Sequence, residues 1–133
     1  SLVKFNNEFH LSSAFNNYFG SKVDLIVLNP PHVTTEEDYI KCQENSPEYF
    51  PIEYDKRSRL ILLDQDFKFH KDFCRNASNF LTDKGQIAFF ENETFIPHKR
   101  IVEELGHDEY TYQFIQKIEP GDIEYYLLIA TKK

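Results

Sequence analysis

Residues 24–32 read Asp-Leu-Ile-Val-Leu-Asn-Pro-Pro-His, and the fold is decided by this stretch. Four consecutive apolar residues between an acid and two prolines are typical of a short strand buried on both faces, as in the middle of a parallel sheet. Pro30 and Pro31 end the strand, because each fixes φ and lacks an N–H, and Pro31 also pushes Pro30 toward an extended conformation. We therefore expect the carbonyls of Asn29 and Pro30 to leave the strand's hydrogen bonds and to be held rigidly.

The turn after this strand has the groups that can hold a planar nitrogen. The Asn29 side-chain oxygen and the Pro30 carbonyl can accept both hydrogens of an amide or amino group, which leaves the nitrogen lone pair free for an electrophile. The His32 ring can stack on the planar group. The alternative is that Asn-Pro-Pro only ends a strand in a tight turn.

The segment resembles motif IV of the class I S-adenosylmethionine-dependent methyltransferases. The similar subgroup has (Asn/Asp/Ser)-Pro-Pro-(Tyr/Phe/Trp), methylates planar nitrogens, and includes DNA N6-adenine and release-factor glutamine methyltransferases. Asn29, Pro30 and Pro31 match the motif position by position, and His32 stands where the family usually has Tyr or Phe. The resemblance implies that these four residues are catalytic, that S-adenosyl-L-methionine is the cofactor, and that the methyl group moves directly to the acceptor nitrogen.

The chain after the motif predicts elements in the order that the family has them. Apolar residues at helical spacing predict an amphipathic helix over 66–81, with Asp64 or Asp66 as its N-cap and Gly85 just past its end. Residues 86–91 predict a second buried strand, which a crossover helix would make parallel to the first.

A second helix is predicted after Pro97, with Ile101, Val102 and Leu105 on one face and Gly106 at its C-terminal end. The runs 110–118 and 123–131 are β-rich and flank a strong turn pattern at 119–122, so they predict an antiparallel hairpin. The resemblance, which covers about residue 22 to the C-terminus, implies that the closing strand is inserted antiparallel between its two predecessors. The expected fold is thus α/β, a partial Rossmann-like methyltransferase sheet whose first βαβ half is missing.

The cofactor half of such a fold is not found in the sequence. The family holds the cofactor chiefly with a glycine-rich turn, and the four glycines, Gly20, Gly85, Gly106 and Gly121, form no Gly-x-Gly pattern. The resemblance places Asn6, Asn7 or Glu8 where the family has a polar residue that contacts adenine, although residues 5–20 also fit a short helix and connector. A chain that starts at Ser1 and has no Met predicts missing upstream residues, so this chain alone is expected to need them or a second chain for activity.

One domain, residues 1–133, is expected from the length. Within it, residues 33–65 form a long connector after the motif and are the candidate lid or recognition insert. Residues 34–38, Thr-Thr-Glu-Glu-Asp, predict a helix start inside this insert because acids favour the first helical turn.

Charge and composition restrict the partners. The formal net charge is −7, which favours a protein or small planar-nitrogen substrate over nucleic acid. No signal peptide or transmembrane run is present in the sequence, so we expect a cytoplasmic protein without membrane contact. The histidines and two cysteines show no metal-ligand spacing, and no metal is expected. A sheet that lacks its first half would expose the edge of the strand before Asn29, which predicts a homodimer or a partner subunit.

Two functions therefore stay open from the sequence. The first is an S-adenosylmethionine-dependent N-methyltransferase acting on a planar amide or amino nitrogen, in a protein glutamine or a nucleobase. The alternative is a non-catalytic methyltransferase-like protein-binding module or half of a split enzyme, which His32 and the missing glycine turn favour.

Overall fold

The computed structural model describes residues 20–48, 52–118 and 124–133. These residues form four strands, four α-helices and two short 3-10 helices. The order is β1 (Val23–Leu28), α1 (Glu36–Asn45), a 3-10 turn (Ile52–Tyr54), α2 (Asp55–Leu62), a 3-10 turn (Gln65–Phe67), α3 (Lys68–Ala77), β2 (Leu81–Asn92), α4 (His98–Leu105), β3 (Tyr110–Ile118) and β4 (Tyr125–Lys132). The chain is therefore α/β, as predicted.

The four described strands make one mixed sheet in the order β1-β2-β4-β3. The β1 and β2 strands are parallel, with Leu28 paired to Phe89, and β4 is antiparallel to both β2 and β3. The last strand is thus inserted between its two predecessors, which is the arrangement that the resemblance implied. The predicted hairpin is confirmed, whereas its turn at 119–122 lies outside the described residues.

One face of the sheet carries the hydrophobic core. Ile87, Phe89, Tyr126 and Leu128 are almost completely buried on this face. The apolar faces of α3 and α4 pack on it and add Phe73, Cys74, Ala77 and Ile101 to the core. The predicted amphipathic character of both helices is confirmed, because period-3.6 apolar residues bury one side of a helix against a sheet.

The other face of β1 corrects an expectation. We expected this strand to be buried on both sides, but Leu25 is 53% exposed and Val27 is 71% exposed. Ile26 and Leu28 pack against the core. The strand is an edge of the described sheet, and only one of its faces meets the core. A continuous apolar run looks the same in the sequence whether one face or both faces of the strand are buried.

The boundary between α3 and β2 also differs from the prediction. The helix ends at Ala77 in a turn in which the Phe80 amide donates to the Ala77 carbonyl at 2.9 Å, and the strand already starts at Leu81. Gly85 therefore does not end the helix. It lies in an irregular part of β2, where a Cβ would come within 2.9 Å of both the Leu81 Cβ and the Thr82 carbonyl oxygen. Glycine is needed there for close approach of the backbone.

The 33–65 insert folds into α1 and α2. Thr35 caps α1 by accepting a hydrogen bond from the Asp38 amide at 3.1 Å, so the predicted helix start is confirmed. Asp55 of α2 joins the two helices, because its carboxylate accepts from two residues of α1, the Tyr39 hydroxyl at 3.1 Å and the Gln43 amide at 3.2 Å. The insert then returns beside the motif, where Val33 and Leu63 form a parallel bridge.

Candidate functional site

The Asn29–His32 turn lies at the carboxyl end of β1, next to the carboxyl end of the parallel strand β2. This edge of an open α/β sheet is where such proteins bind ligands. Asn29 is exposed, Pro30 is buried, and Pro31 and His32 are partly buried. Among the described residues, no hydrogen bond ends on the Asn29 side chain or on the Pro30 carbonyl.

Asn92, the last residue of β2, holds the turn in place. Its side-chain amide donates to the His32 carbonyl at 3.0 Å, and its side-chain oxygen accepts from the Phe95 amide at 2.8 Å. Asn92 is only 4% exposed. A buried side chain with both ends hydrogen-bonded ties the backbone at His32 to the loop after β2.

Behind the turn lies a buried ionic cluster that consists of Asp64, His70 and Glu91. His70 Nδ1 lies 2.5 Å from Asp64 Oδ2, and His70 Nε2 lies 2.5 Å from Glu91 Oε1. The side chains of His70 and Glu91 are fully buried and that of Asp64 is 2% exposed. Because both neighbours are carboxylates, the imidazole donates from both nitrogens and carries a positive charge.

The protonation of this cluster follows from its contacts. Burial by itself lowers the pKa of His70, but the hydrogen bonds to Asp64 and Glu91 and their charges outweigh it and raise the pKa to about 9. Burial works in the opposite direction on Asp64 and raises its pKa. The hydrogen bonds from the His70 ring and from the amides of Phe69 and His70 outweigh it and hold the pKa below the usual range.

The Asp64 carboxylate lies against the first turn of α3. The N-cap of α3 is Phe67, so the predicted N-cap, Asp64 or Asp66, is wrong. The Asp64 carboxylate nevertheless accepts from the Phe69 amide at 2.6 Å and the His70 amide at 3.0 Å in the first turn of the helix. Asp66 and Phe67 have φ angles of 56° and 58°, which residues with a Cβ adopt at a cost of about 1–2 kcal/mol each. That strain is stored directly between the acid and the helix.

His32 and Glu91 connect the turn to the cluster. Glu91 Oε2 lies 3.6 Å from His32 Nδ1. Both atoms are buried, and among the described residues neither has a hydrogen-bond partner. The His32 side chain as a whole is 28% exposed, so the ring has one buried edge and one accessible side.

The predicted site residues Asn29, Pro30, Pro31 and His32 lie together at one edge of the sheet, which follows from their being consecutive in the chain. Asn6 and Asn7, the predicted cofactor contacts, lie outside the described residues. Sequence reasoning treated His70 only as part of an apolar helix face and Glu91 only as the end of a strand. Two patterns could have revealed the cluster. One is the acid that follows the apolar run at 87–90, and the other is a histidine among helix positions that are otherwise apolar.

Comparison of the chain with protein-family models, with curated proteins and with solved structures found no match. Within residues 20–48, 52–118 and 124–133, no three His, Cys, Asp or Glu side chains are grouped so that they could hold a metal ion. No helix in the same ranges is long and apolar enough to cross a membrane.

Proposed function

We propose that the chain is the acceptor-binding part of an S-adenosylmethionine-dependent N-methyltransferase that acts on a planar amide or amino nitrogen. The observation that carries the proposal is the position of the Asn29–His32 turn at the carboxyl end of β1, beside β2, in a sheet whose last strand is inserted antiparallel. This arrangement supports a partial Rossmann-like methyltransferase sheet. Protein glutamine and nucleobases are the two acceptor classes, and the net charge of −7 favours the protein.

The described residues fit the acceptor side of this reaction and do not include a cradle for the cofactor. Of the glycines they contain, Gly20 precedes β1, Gly85 lies inside β2 and Gly106 ends α4 with a φ of 71°. None of them belongs to a glycine-rich turn after a strand. Cofactor binding is therefore assigned to other residues, Asn6 and Asn7 among them, or to a second chain; the cofactor supplies an electrophilic methyl group.

Positioning is the task of the acceptor side. The Asn29 side-chain oxygen and the Pro30 carbonyl accept the two hydrogens of the acceptor NH₂ group, which directs its lone pair away from the turn. Both oxygens carry partial negative charge, so they also stabilise the positive charge that develops on the nitrogen as it is alkylated. The His32 ring packs against the plane of the acceptor.

The test is methyl transfer from tritiated S-adenosylmethionine to a glutamine-containing peptide and to an adenine-containing oligonucleotide. In Asn29→Ala we expect the rate to fall by a factor on the order of 100 or more, because one oriented acceptor is lost. The matched control is Asn79→Ala, since Asn79 is an exposed asparagine in the turn after α3 and far from the motif in sequence. Transfer by Asn29→Ala at more than half of the wild-type rate would reject the assignment.

A second function, a non-catalytic protein-binding module or one half of a split enzyme, is favoured by one observation. The β1 strand is an edge of the described sheet and exposes Leu25 and Val27. An apolar edge of this kind pairs readily with another chain, here a second copy or a partner subunit. Light scattering of wild type, Val27→Lys and the control Leu60→Lys tests it, because Leu60 is 86% exposed on α2. A dimer that only Val27→Lys disrupts supports this function, and a wild-type monomer rejects the homodimer.

A further inference from the structure

Glu91 Oε2 is a buried carboxylate oxygen that accepts no hydrogen bond from the described residues. It lies 3.6 Å from His32 Nδ1, which is also buried, and among the described residues neither atom has another hydrogen-bond partner. Leaving a carboxylate oxygen dry and unpaired is costly. The 3.6 Å between the two atoms is just longer than a hydrogen bond.

The other oxygen of Glu91 fixes how this carboxylate can act. Oε1 lies 2.5 Å from His70 Nε2, and the opposite nitrogen of His70 lies 2.5 Å from Asp64. The His70 ring is stacked on Phe89, with 6.3 Å between ring centroids and 12° between planes, so it has little freedom to turn. Glu91 therefore accepts a hydrogen bond on Oε1 from a charged donor and remains an acceptor on Oε2.

We propose that Asp64, His70 and Glu91 are positioning residues that fix the tautomer of His32, so that Nδ1 carries the proton and faces Glu91 while Nε2 presents a lone pair. In a neutral imidazole one nitrogen donates and the other accepts, and the partner of one nitrogen sets the state of the other. Asn92 holds the His32 carbonyl, which fixes the backbone from which the ring projects.

A fixed Nε2 acceptor changes what the turn can bind. The Asn29 side-chain oxygen, the Pro30 carbonyl and His32 Nε2 are then three acceptors at one edge of the sheet. The acceptor NH₂ group supplies two hydrogens, so Nε2 takes a donor from another part of the ligand, and the three acceptors together disfavour a carboxylate. This consequence rests on the proposed function, because there the ligand is an amide or amino group. The tautomer itself does not depend on that function and can be measured on the protein alone.

The experiment is a long-range ¹H–¹⁵N correlation spectrum of the histidine rings in the full chain, without methyl donor or acceptor. His32→Gln assigns the His32 signals by their absence. Two other histidines give reference signals in the same spectrum. His98 Nδ1 lies 3.0 Å from the Glu93 carboxylate, and the His107 ring packs edge-on against Tyr112. We expect His32 to show a protonated Nδ1 and an unprotonated Nε2.

Glu91→Gln removes the charge behind His32 and keeps the size of the side chain. In this variant we expect the proton to shift toward Nε2, whereas the matched control Glu93→Gln leaves the His32 spectrum unchanged. A wild-type His32 that is protonated on Nε2 would overturn the proposal, whether or not Glu91→Gln folds. An unchanged tautomer in folded Glu91→Gln would overturn it as well. If the tautomer is as stated and Asn29→Ala transfers the methyl group at the wild-type rate, only the proposed function fails.

Discussion

The charge on buried His70 makes the stability of the chain fall as the pH rises above neutral. The pKa of His70 is about 9 in the folded protein, against an ordinary value of 6.5 in the unfolded chain. Because the folded pKa is the higher one, the stabilisation is fully present below pH 6.5 and is lost as the pH rises through about 9. Asp64 has a lowered pKa, so its contribution is lost on the acid side instead.

The size of the effect follows from the difference between the two pKa values. One pKa unit corresponds to about 1.4 kcal/mol, so raising the pKa from 6.5 to about 9 stabilises the folded state by about 3 kcal/mol. For a domain of this length that free energy corresponds to a change in Tm of about 10 °C. The fall should be spread over the interval between pH 6.5 and 9.

The assay is thermal unfolding followed by circular dichroism at pH steps from 6 to about 10 in one buffer series at constant ionic strength. Wild type is compared with His98→Gln, which removes a surface histidine that is 31% exposed and paired with Glu93. We expect the Tm of both proteins to decrease by the same amount between pH 6.5 and 9. His70→Gln is expected to be less stable by about 3–5 kcal/mol at pH 6.5, because it leaves Asp64 and Glu91 buried without their cation.

A wild-type Tm that stays constant between pH 6.5 and 9 would refute the charged state of His70. An equal alkaline loss in folded His70→Gln would refute it too, since the loss would then come from other groups.

Three further changes test other parts of the structure. His32→Tyr should retain methyl transfer, because a phenol also stacks and its oxygen also accepts a hydrogen bond; loss comparable to Asn29→Ala in the tritium assay would contradict this. Gly85→Ala should lower the free energy of unfolding by about 1–3 kcal/mol in urea titrations, because the new Cβ meets the Leu81 Cβ and the Thr82 carbonyl oxygen at 2.9 Å. An unchanged urea midpoint would show that the backbone of β2 shifts at no cost to make room for the methyl group. Tyr39→Phe should cost about 1 kcal/mol in the same titration, because it removes the 3.1 Å bond to Asp55 between α1 and α2, and no loss would mean that this bond does not stabilise the insert.

Local patterns predicted most of the elements correctly. The strand before Asn29, the helix after Pro97 with Gly106 at its end, and the hairpin were all visible in the sequence, because apolar period, proline and glycine act within a few residues. The N-cap of α3 was not visible, because Phe67 takes that position and the Asp64 carboxylate reaches the helix amides from before the 3-10 turn. Gly85 was misassigned because a glycine past a helix and a glycine inside an irregular strand look alike until the neighbouring backbone is in place.

The sequence by itself determined the Asn-Pro-Pro-His turn and its place after a strand, because two prolines restrict the backbone without help from distant residues. Only the tertiary structure decided that Asp64, His70, Glu91 and His32 form one chain of contacts, since these residues come from four separate segments that meet at the carboxyl ends of β1 and β2. It also decided that β1 buries only one face. Burial and long-range ion pairing depend on which elements pack together, and that is a property of the assembled sheet and its helices.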